Sequence, residues 1–326
     1  METSQARKDA IFRKKLVDTF CNYGIYIIFL IMIIYFSVQS TGFLSLSNAI
    51  TVLQLSSTLG ISVVGMFFVL ITGGIDISVA SNMYFSAVVG TTLLNNLGCP
   101  LILCFVGSCL SGLLIGCING FCVSRLKIVP FITTLATYSV AKGLGLMFTN
   151  QQMLFLDAKV RVFSSTRIFG IPLMVYIFLA VVILGHFVLT KTQYGRQLFA
   201  CGNNLTGANK MGINGPRVVF AAYAICGTLA GLAGMVNAAR LSVINPNFAQ
   251  NDEFTVISSA VIGGASLFGG KGKVIPGAII GIVMVQVISN GLTIIGASAY
   301  IQNIFKGLII FVAVMVDSIK NNGDIH

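Results

Sequence analysis

The stretch LITGGIDISVAS, Leu70 to Ser81, sets a carboxylate, Asp76, just after the pair Gly73 and Gly74 and between two long apolar runs. A side chain of this type can accept hydrogen bonds from the amides near Ser78 and Val79 and so begin a helix, whose aligned peptide dipoles favour a negative charge at that end. The glycines permit the chain to break before it. An acid in apolar surroundings also suits gating or contact with a solute. Gly73, Gly74, Asp76 and Ser78 are therefore a candidate helix break and gate, and the two readings can coexist.

Two bases, Lys142 and Lys306, also sit inside apolar runs, where each either snorkels to the nearer interface or lines a polar path. Thr133, Thr134, Thr137, Asn237, Gln286, Asn290 and Asn303 supply uncharged donors and acceptors in similar surroundings. Such residues often only join helices, yet a neutral polar solute such as a sugar is served by the same lining. The run GGASLFGGKGKVIPG lacks the Ser or Thr that a phosphate loop needs after its lysine, since Gly272 follows Lys271 and Val274 follows Lys273. Nine acids and two histidines assemble no Ser-His-Asp set, metal cluster or paired carboxylates, so neither catalysis nor a metal site is expected. The eight cysteines include no CxxC pair, and those within apolar runs read as small packing residues.

The elements that must position these groups follow from composition. Hydrophobic residues make up 56% of the 326 and charged ones 9%, more apolar surface than a soluble domain hides. The apolar residues arrive in blocks of roughly 20, the length of helix that crosses about 30 Å of hydrocarbon. The fold class expected is thus all-α and polytopic, with about ten transmembrane helices near 21–39, 49–71, 77–97, 101–123, 128–149, 172–190, 218–237, 254–268, 276–295 and 300–317. The basic opening and the absence of a small-residue cleavage pattern predict that the first block stays as a span rather than being removed as a signal peptide.

A net charge of +11 would suggest nucleic acid for a soluble chain, but its distribution points to membrane orientation instead. With the N-terminus inside, fourteen of the 20 Lys and Arg residues fall in inside segments, four (Lys159, Arg161, Arg167 and Arg240) fall outside, and two lie within spans. Both termini are therefore expected to be cytoplasmic, with segment 1–20 and tail 318–326 flanking a transmembrane domain at 21–317. The outside connection 150–171 mixes apolar and basic residues and could lie along the membrane surface. The inside connection 190–217 is the sizeable one between spans. Asn203 or Asn204 can cap a short helix there, Leu205 to Met211 make about two turns, and Gly212 ends it. Leu205, Ala208 and Met211, three positions apart, fall on one face of it, with Lys210 beside them. Two echoes run through the chain: LITGGIDIS with AVIGGASLF, and AKGLGL at Ala141 with FKGLII at Phe305. Their spacings differ, so they mark similar helix breaks rather than a repeat.

Several of these motifs, taken together and in order, resemble the membrane permease subunits of bacterial ABC importers for ribose, xylose, arabinose and related sugars. GGIDIS resembles that family's Gly-Gly-Ile-Asp-Leu-Ser signature, and VPFITTLATYSVAKGLGL its Pro-x-Phe-Ile-x-Thr-Leu segment. TQYGRQLFACGNNLTGANKMGIN resembles its cytoplasmic loop, and VIGGASLFGGKGKVIPGAIIG its late glycine-rich segment. The matches span roughly Ser47 to Asp317; Ala80 and Asn209 depart from the pattern, each where a smaller residue is usual. The resemblance implies a sugar permease of the inner membrane, working by alternating access beside a second permease chain, like or unlike. A periplasmic binding protein would deliver the sugar. A cytoplasmic ATPase subunit would use the ATP, leaving no cofactor on this chain, and would dock on residues 203–213. The alternative is an ion-coupled secondary transporter or channel, with Asp76 or Lys142 as the coupling group.

Overall fold

The computed structural model describes residues 27 and 29–322. The expected cytoplasmic segment 1–20 and the start of the first span lie outside them. Thirteen helices and four two-residue strands run in the order α1 (Phe29–Gln39), α2 (Leu46–Ile71), α3 (Val79–Leu97), α4 (Leu101–Ser124), α5 (Pro130–Thr149), β1 (Leu154–Phe155), α6 (Lys159–Ser165), β2 (Arg167–Ile168), β3 (Ile171–Pro172), α7 (Leu173–Lys191), α8 (Gln193–Asn203), α9 (Leu205–Lys210), α10 (Gly215–Leu241), β4 (Val243–Ile244), α11 (Asp252–Ile262), α12 (Val274–Ile294) and α13 (Ala299–Asn322). The chain is an all-α polytopic membrane protein: α2, α4, α5, α7, α10, α12 and α13 are each long and apolar enough to cross a bilayer. α3 has the length as well, but Ser81, Asn82, Ser86 and Thr91 make it more polar, and all four are buried against other helices.

The expected span at 254–268 is corrected. Its helix, α11, ends at Ile262 after 11 residues, roughly 16 Å, half of what a crossing needs. Gly263 closes it, and Gly264 then takes a φ of +91°, open to glycine and strained for other residues. α13 continues as helix through residue 322, beyond the end expected for the last span. Between 190 and 217 there are two helices rather than one. Thr192 caps α8 by accepting from the Gly195 amide at 3.2 Å, and Asn204 caps α9 by accepting from the Gly207 amide at 2.8 Å. Gly212, at φ +85°, follows α9.

α2 is the central helix, buried along most of its length and packed against α7, α10, α11 and α12. The most extensive helix contact is α4 on α10, and glycine makes it possible. Cβ atoms at Gly112 and Gly116 would run into the α10 backbone at Gly227 and Tyr223, and one at Gly227 would run back into Gly112. In lipid, where burying one apolar side chain against another displaces only more hydrocarbon, close backbone approach supplies the attraction. Asn82 of α3 sits over this crossing, its Nδ2 donating at 3.3 Å to the carbonyls of both Gly112 and Gly227, while its Oδ1 accepts from Ser86 Oγ at 3.0 Å. One amide thus joins three helices.

The loops gather at two ends. At one, β1 pairs with β4, Asn95 Nδ2 donates to the Phe155 carbonyl at 2.6 Å, and α6 buries Val160 and Phe163 against Leu94, Met235 and Ala239. The other face of α6 leaves Val162 exposed. At the opposite end, the 72–78 break, the loop after α11 and the end of α8 meet. Replacing Gly227 with Ala forces α4 and α10 apart; the expected loss is roughly 1–3 kcal/mol, read as a lower thermal midpoint of the detergent-purified protein, and an unchanged midpoint would refute the glycine crossing as a source of stability.

Candidate functional site

Asp76 lies in the seven-residue interruption between α2 and α3, with only 1% of its surface exposed. Its Oδ1 accepts from the Ser78 amide at 2.9 Å, the Ser78 hydroxyl at 2.6 Å and Asn119 Nδ2 at 3.4 Å. Oδ2 meets no donor at hydrogen-bonding geometry among the described residues, although the Cys226 thiol of α10 lies beside the carboxylate. The Ser78 amide, left without a helical partner at the start of α3, is thereby satisfied within the protein. Asn119 carries the network onward: its Nδ2 also donates to Ser78 Oγ at 2.8 Å, and its Oδ1 accepts from Thr137 Oγ1 of α5 at 2.7 Å.

The rest of the interruption is tied down from several sides. The Ile75 carbonyl accepts from Thr134 Oγ1 at 3.4 Å and Tyr223 Oη at 3.5 Å. Gly73, at φ +78°, lies beside the backbone of Phe268 and Gly269, and the Gly270 amide donates to the Ile71 carbonyl at 2.8 Å. The break before Asp76 thus meets the end of AVIGGASLF and the glycines after it, while Gly263, of the echoed pair, packs on Gly277.

The remaining candidates do not form one lined path with these. Lys142 donates to the Pro246 carbonyl at 2.6 Å and lies 4.3 Å above the Tyr84 ring centre. That pairing, a charge on a carbonyl and an aromatic face, satisfies an ammonium without water. Glu253, buried at the start of α11, lies within electrostatic reach of both Lys142 and Lys306, and Asp252 within reach of Lys306 and Arg240. Arg240 in turn donates to Asn237 Oδ1 at 3.1 Å and 3.3 Å. Lys142, Asn237 and Lys306 thus belong to a second, charged centre at the end where β1 meets β4. Gln286 and Asn290 are buried on α12, which packs on α2, α7, α11 and α13; Asn290 Oδ1 has no partner among the described residues. Thr133 Oγ1 is likewise buried without one, and Asn303 is exposed on α13.

In the loop between α7 and α10, Leu205 is 45% and Met211 83% exposed, with Asn203, Asn204, Lys210 and Gly212 also exposed. Ala208 is 6% exposed and packs into the core, so it does not share the outward face expected of it. A two-turn helix resting on the protein must bury one side, and the smallest apolar residue is the one it buries. In α8, loss of solvent pushes the Tyr194 phenol, which donates to the Val218 carbonyl at 3.2 Å, and the Cys201 thiol up, which leaves both neutral at neutral pH.

Sequence reading missed Asn119, Asn82 and the acidic pair Asp252 and Glu253. The signal for the first two was present: an amide inside the apolar runs CINGF and ASNMYF requires a partner.

With this geometry in place, the chain is compared with known proteins. A family described as "Branched-chain amino acid transport system / permease component" matches residues 48–314. The chain is 31% identical over 296 residues to the ribose import permease protein of Escherichia coli (strain K12), covering 89% of this chain and 92% of that protein. It is 32% identical to the ribose import permease protein of Bacillus subtilis (strain 168), covering 89% and 91%. It is 30% identical over 330 residues to the galactose/methyl galactoside import permease protein of E. coli (strain K12), covering 95% and 98%. No solved structure matches.

Replacing Asp76 separates capping from charge. Asp76→Asn keeps the Oδ1 oxygen that accepts from Ser78 and Asn119 and is expected to retain folded abundance and uptake, whereas Asp76→Ala strands Ser78 and Asn119 and costs about 1–3 kcal/mol. Normal abundance of the Asn variant with lost uptake would assign Asp76 a gating charge instead.

Proposed function

This chain belongs to the branched-chain amino acid transport system permease-component family, and from that premise we propose that it carries a pentose or related monosaccharide across the inner membrane by alternating access. It is a membrane permease of the sugar ABC importer class, a transport subunit and not an enzyme. The substrate class rests on relatives named for ribose, allose and galactose import, each matched over nearly its whole length. ATP is used by a separate cytoplasmic subunit, a periplasmic binding protein delivers the sugar, and a second permease chain, like or unlike this one, completes the pathway.

The observation that carries the ATPase partner is α9. A two-turn helix capped by Asn204 and closed before Gly212 turns Leu205 and Met211 outward beside Lys210. Exposed apolar side chains on a fixed short helix suit a groove on another protein. A carrier driven by an ion gradient has no use for such a helix at that end.

Topology follows the charges. Arg125, Lys127, Lys191, Arg196, Lys210, Arg217, Lys271 and Lys273 fall at the end shared by the 72–78 break and α9, which we assign to the cytoplasm along with both termini. In a cysteine-free background, a cysteine at Ser165 is expected to react with a membrane-impermeant reagent in intact cells and one at Ser4 to be protected; the reverse would invert the topology.

Docking is tested by charging the outward face. Leu205→Asp with Met211→Asp places carboxylates where apolar contact is expected, at roughly several kcal/mol if the interface is dry. Insertion and abundance should stay normal while co-purification of the ATPase subunit and ATP-driven uptake are lost. If the variant keeps both, α9 is not the docking helix; uptake without any ATPase subunit would replace the importer by a secondary transporter.

A further inference from the structure

Three stretches of bare backbone meet under α9. Gly202, in the last turn of α8, lies so close to Ile71 at the end of α2 and to Gly270 that a Cβ would collide with the Ile71 carbonyl and the Gly270 amide. Those two groups are hydrogen bonded to each other at 2.8 Å. A Cβ at Gly269 would press on the Gly202 carbonyl and the Gly73 amide, and one at Gly270 on the side chain of Asn203. Gly202 meets Ile71, Gly269 and Gly270 backbone to backbone, and the Asn203 side chain lies against Gly270. The loop is also held from α13, since Asp317 Oδ2 accepts from the Leu267 amide at 2.9 Å and Ser266 Oγ at 3.2 Å.

Sequence neighbours give this junction its consequence. Asn204, which caps α9, is two residues past Gly202, and Asp76 is three past Gly73. From Asp76 the bonds run through Ser78 and Asn119 to Thr137 on α5. Backbone packed directly on backbone has no rotamers to absorb a displacement, so a shift of the α8–α9 corner is passed to the Asp76 interruption rather than dissipated.

We propose that Gly202, with the Ser266–Gly270 loop it touches, is the positioning element that carries movement of α9 to the Asp76 network and so to α5. The inference rests on the reading of α9 as the ATPase docking helix and adds to it the route by which docking is felt in the membrane. Gly202 touches no solute; it acts through the segments it packs on.

The experiment uses the full transporter, with its ATPase subunit and binding protein, in proteoliposomes, and follows ATP hydrolysis and sugar uptake together across the panel ribose, galactose and allose. Gly202→Ala wedges the junction open. The expected result is an assembled complex whose hydrolysis stays close to that of the unaltered chain while uptake falls, raising ATP consumed per sugar roughly three- to tenfold. A structural role alone would lower assembly, hydrolysis and uptake in proportion, and a constant ratio overturns the proposal. If Gly202→Ala does not accumulate, Ser266→Ala serves, since without adding bulk it removes the tie from Ser266 to Asp317 of α13 and the Phe268 amide's bond within the loop. It is expected to raise the same ratio, and a ratio equal to that of the unaltered chain overturns the proposal. Should the unaltered chain bind no ATPase subunit and show no ATP-driven uptake, the importer reading fails and takes this inference with it. Coupling in the unaltered chain but an unmoved ratio in the variants defeats the inference alone.

Discussion

A helix that stops inside apolar surroundings leaves amides and carbonyls that no water reaches, and each must find a partner within the protein or cost several kcal/mol. The seven residues between Ile71 and Val79 meet that constraint with donors brought from four other parts of the chain. Asp76 and Asn119 serve the start of α3, Thr134 and Tyr223 serve Ile75, and Gly270 serves Ile71. Because those partners come from α4, α5, α10 and the loop after α11, the break fixes where four distant parts of the chain stand. The acid in GGIDIS is thus the local solution to a hydrogen-bonding problem, and through Asn119 it is also the point at which α3, α4 and α5 are held in register.

What the sequence made legible were features with a local physical cause. Asn204 capping α9, Gly212 following it and the glycine break before Asp76 each depend on a few neighbouring residues, and each stands where the pattern put it. What it hid depends on three dimensions. A membrane helix is apolar on the side facing lipid and on the side facing its neighbours, so the pattern does not reveal which face is buried. Outside the spans, Ala208 of α9 was hidden in a similar way: three positions from Leu205 and from Met211, it shares their stripe in sequence yet turns into the core. The length of α11 was hidden for a related reason. VISSAVIGGASLF reads as continuous apolar chain, but Gly263 and Gly264 end the helix, and the apolar residues beyond them lie in a loop.

The echoes carried more than their uneven spacing suggested. Gly73 lies near Phe268, the last residue of AVIGGASLF, and Gly269 after it, and Lys142 and Lys306, the lysines of the second echo, are both within electrostatic reach of Glu253. The first pair of segments is thus tied by backbone contact at one end of the bundle, the second through a shared acid at the other. The end bearing the glycines is held by uncharged backbone contacts and short-range bonds, the other by three bases and two acids around Asp252 and Glu253. These two kinds of holding differ in range. A hydrogen bond is lost within an ångström of displacement, whereas charges in a medium of low dielectric still attract over several.

That difference bears on how the two ends can work in sequence, because α5 is bonded to both. Thr137 donates to Asn119 in the Asp76 network and Lys142 donates to Pro246 at the Glu253 end, five residues apart on the same helix, roughly 7.5 Å along its axis. α5 is also among the least buried of the crossing helices, so little packing resists its movement. The Thr137–Asn119 and Lys142–Pro246 bonds are both short-range, so a shift of α5 by about an ångström strains the two together, and only the attraction between Lys142 and Glu253 outlasts it.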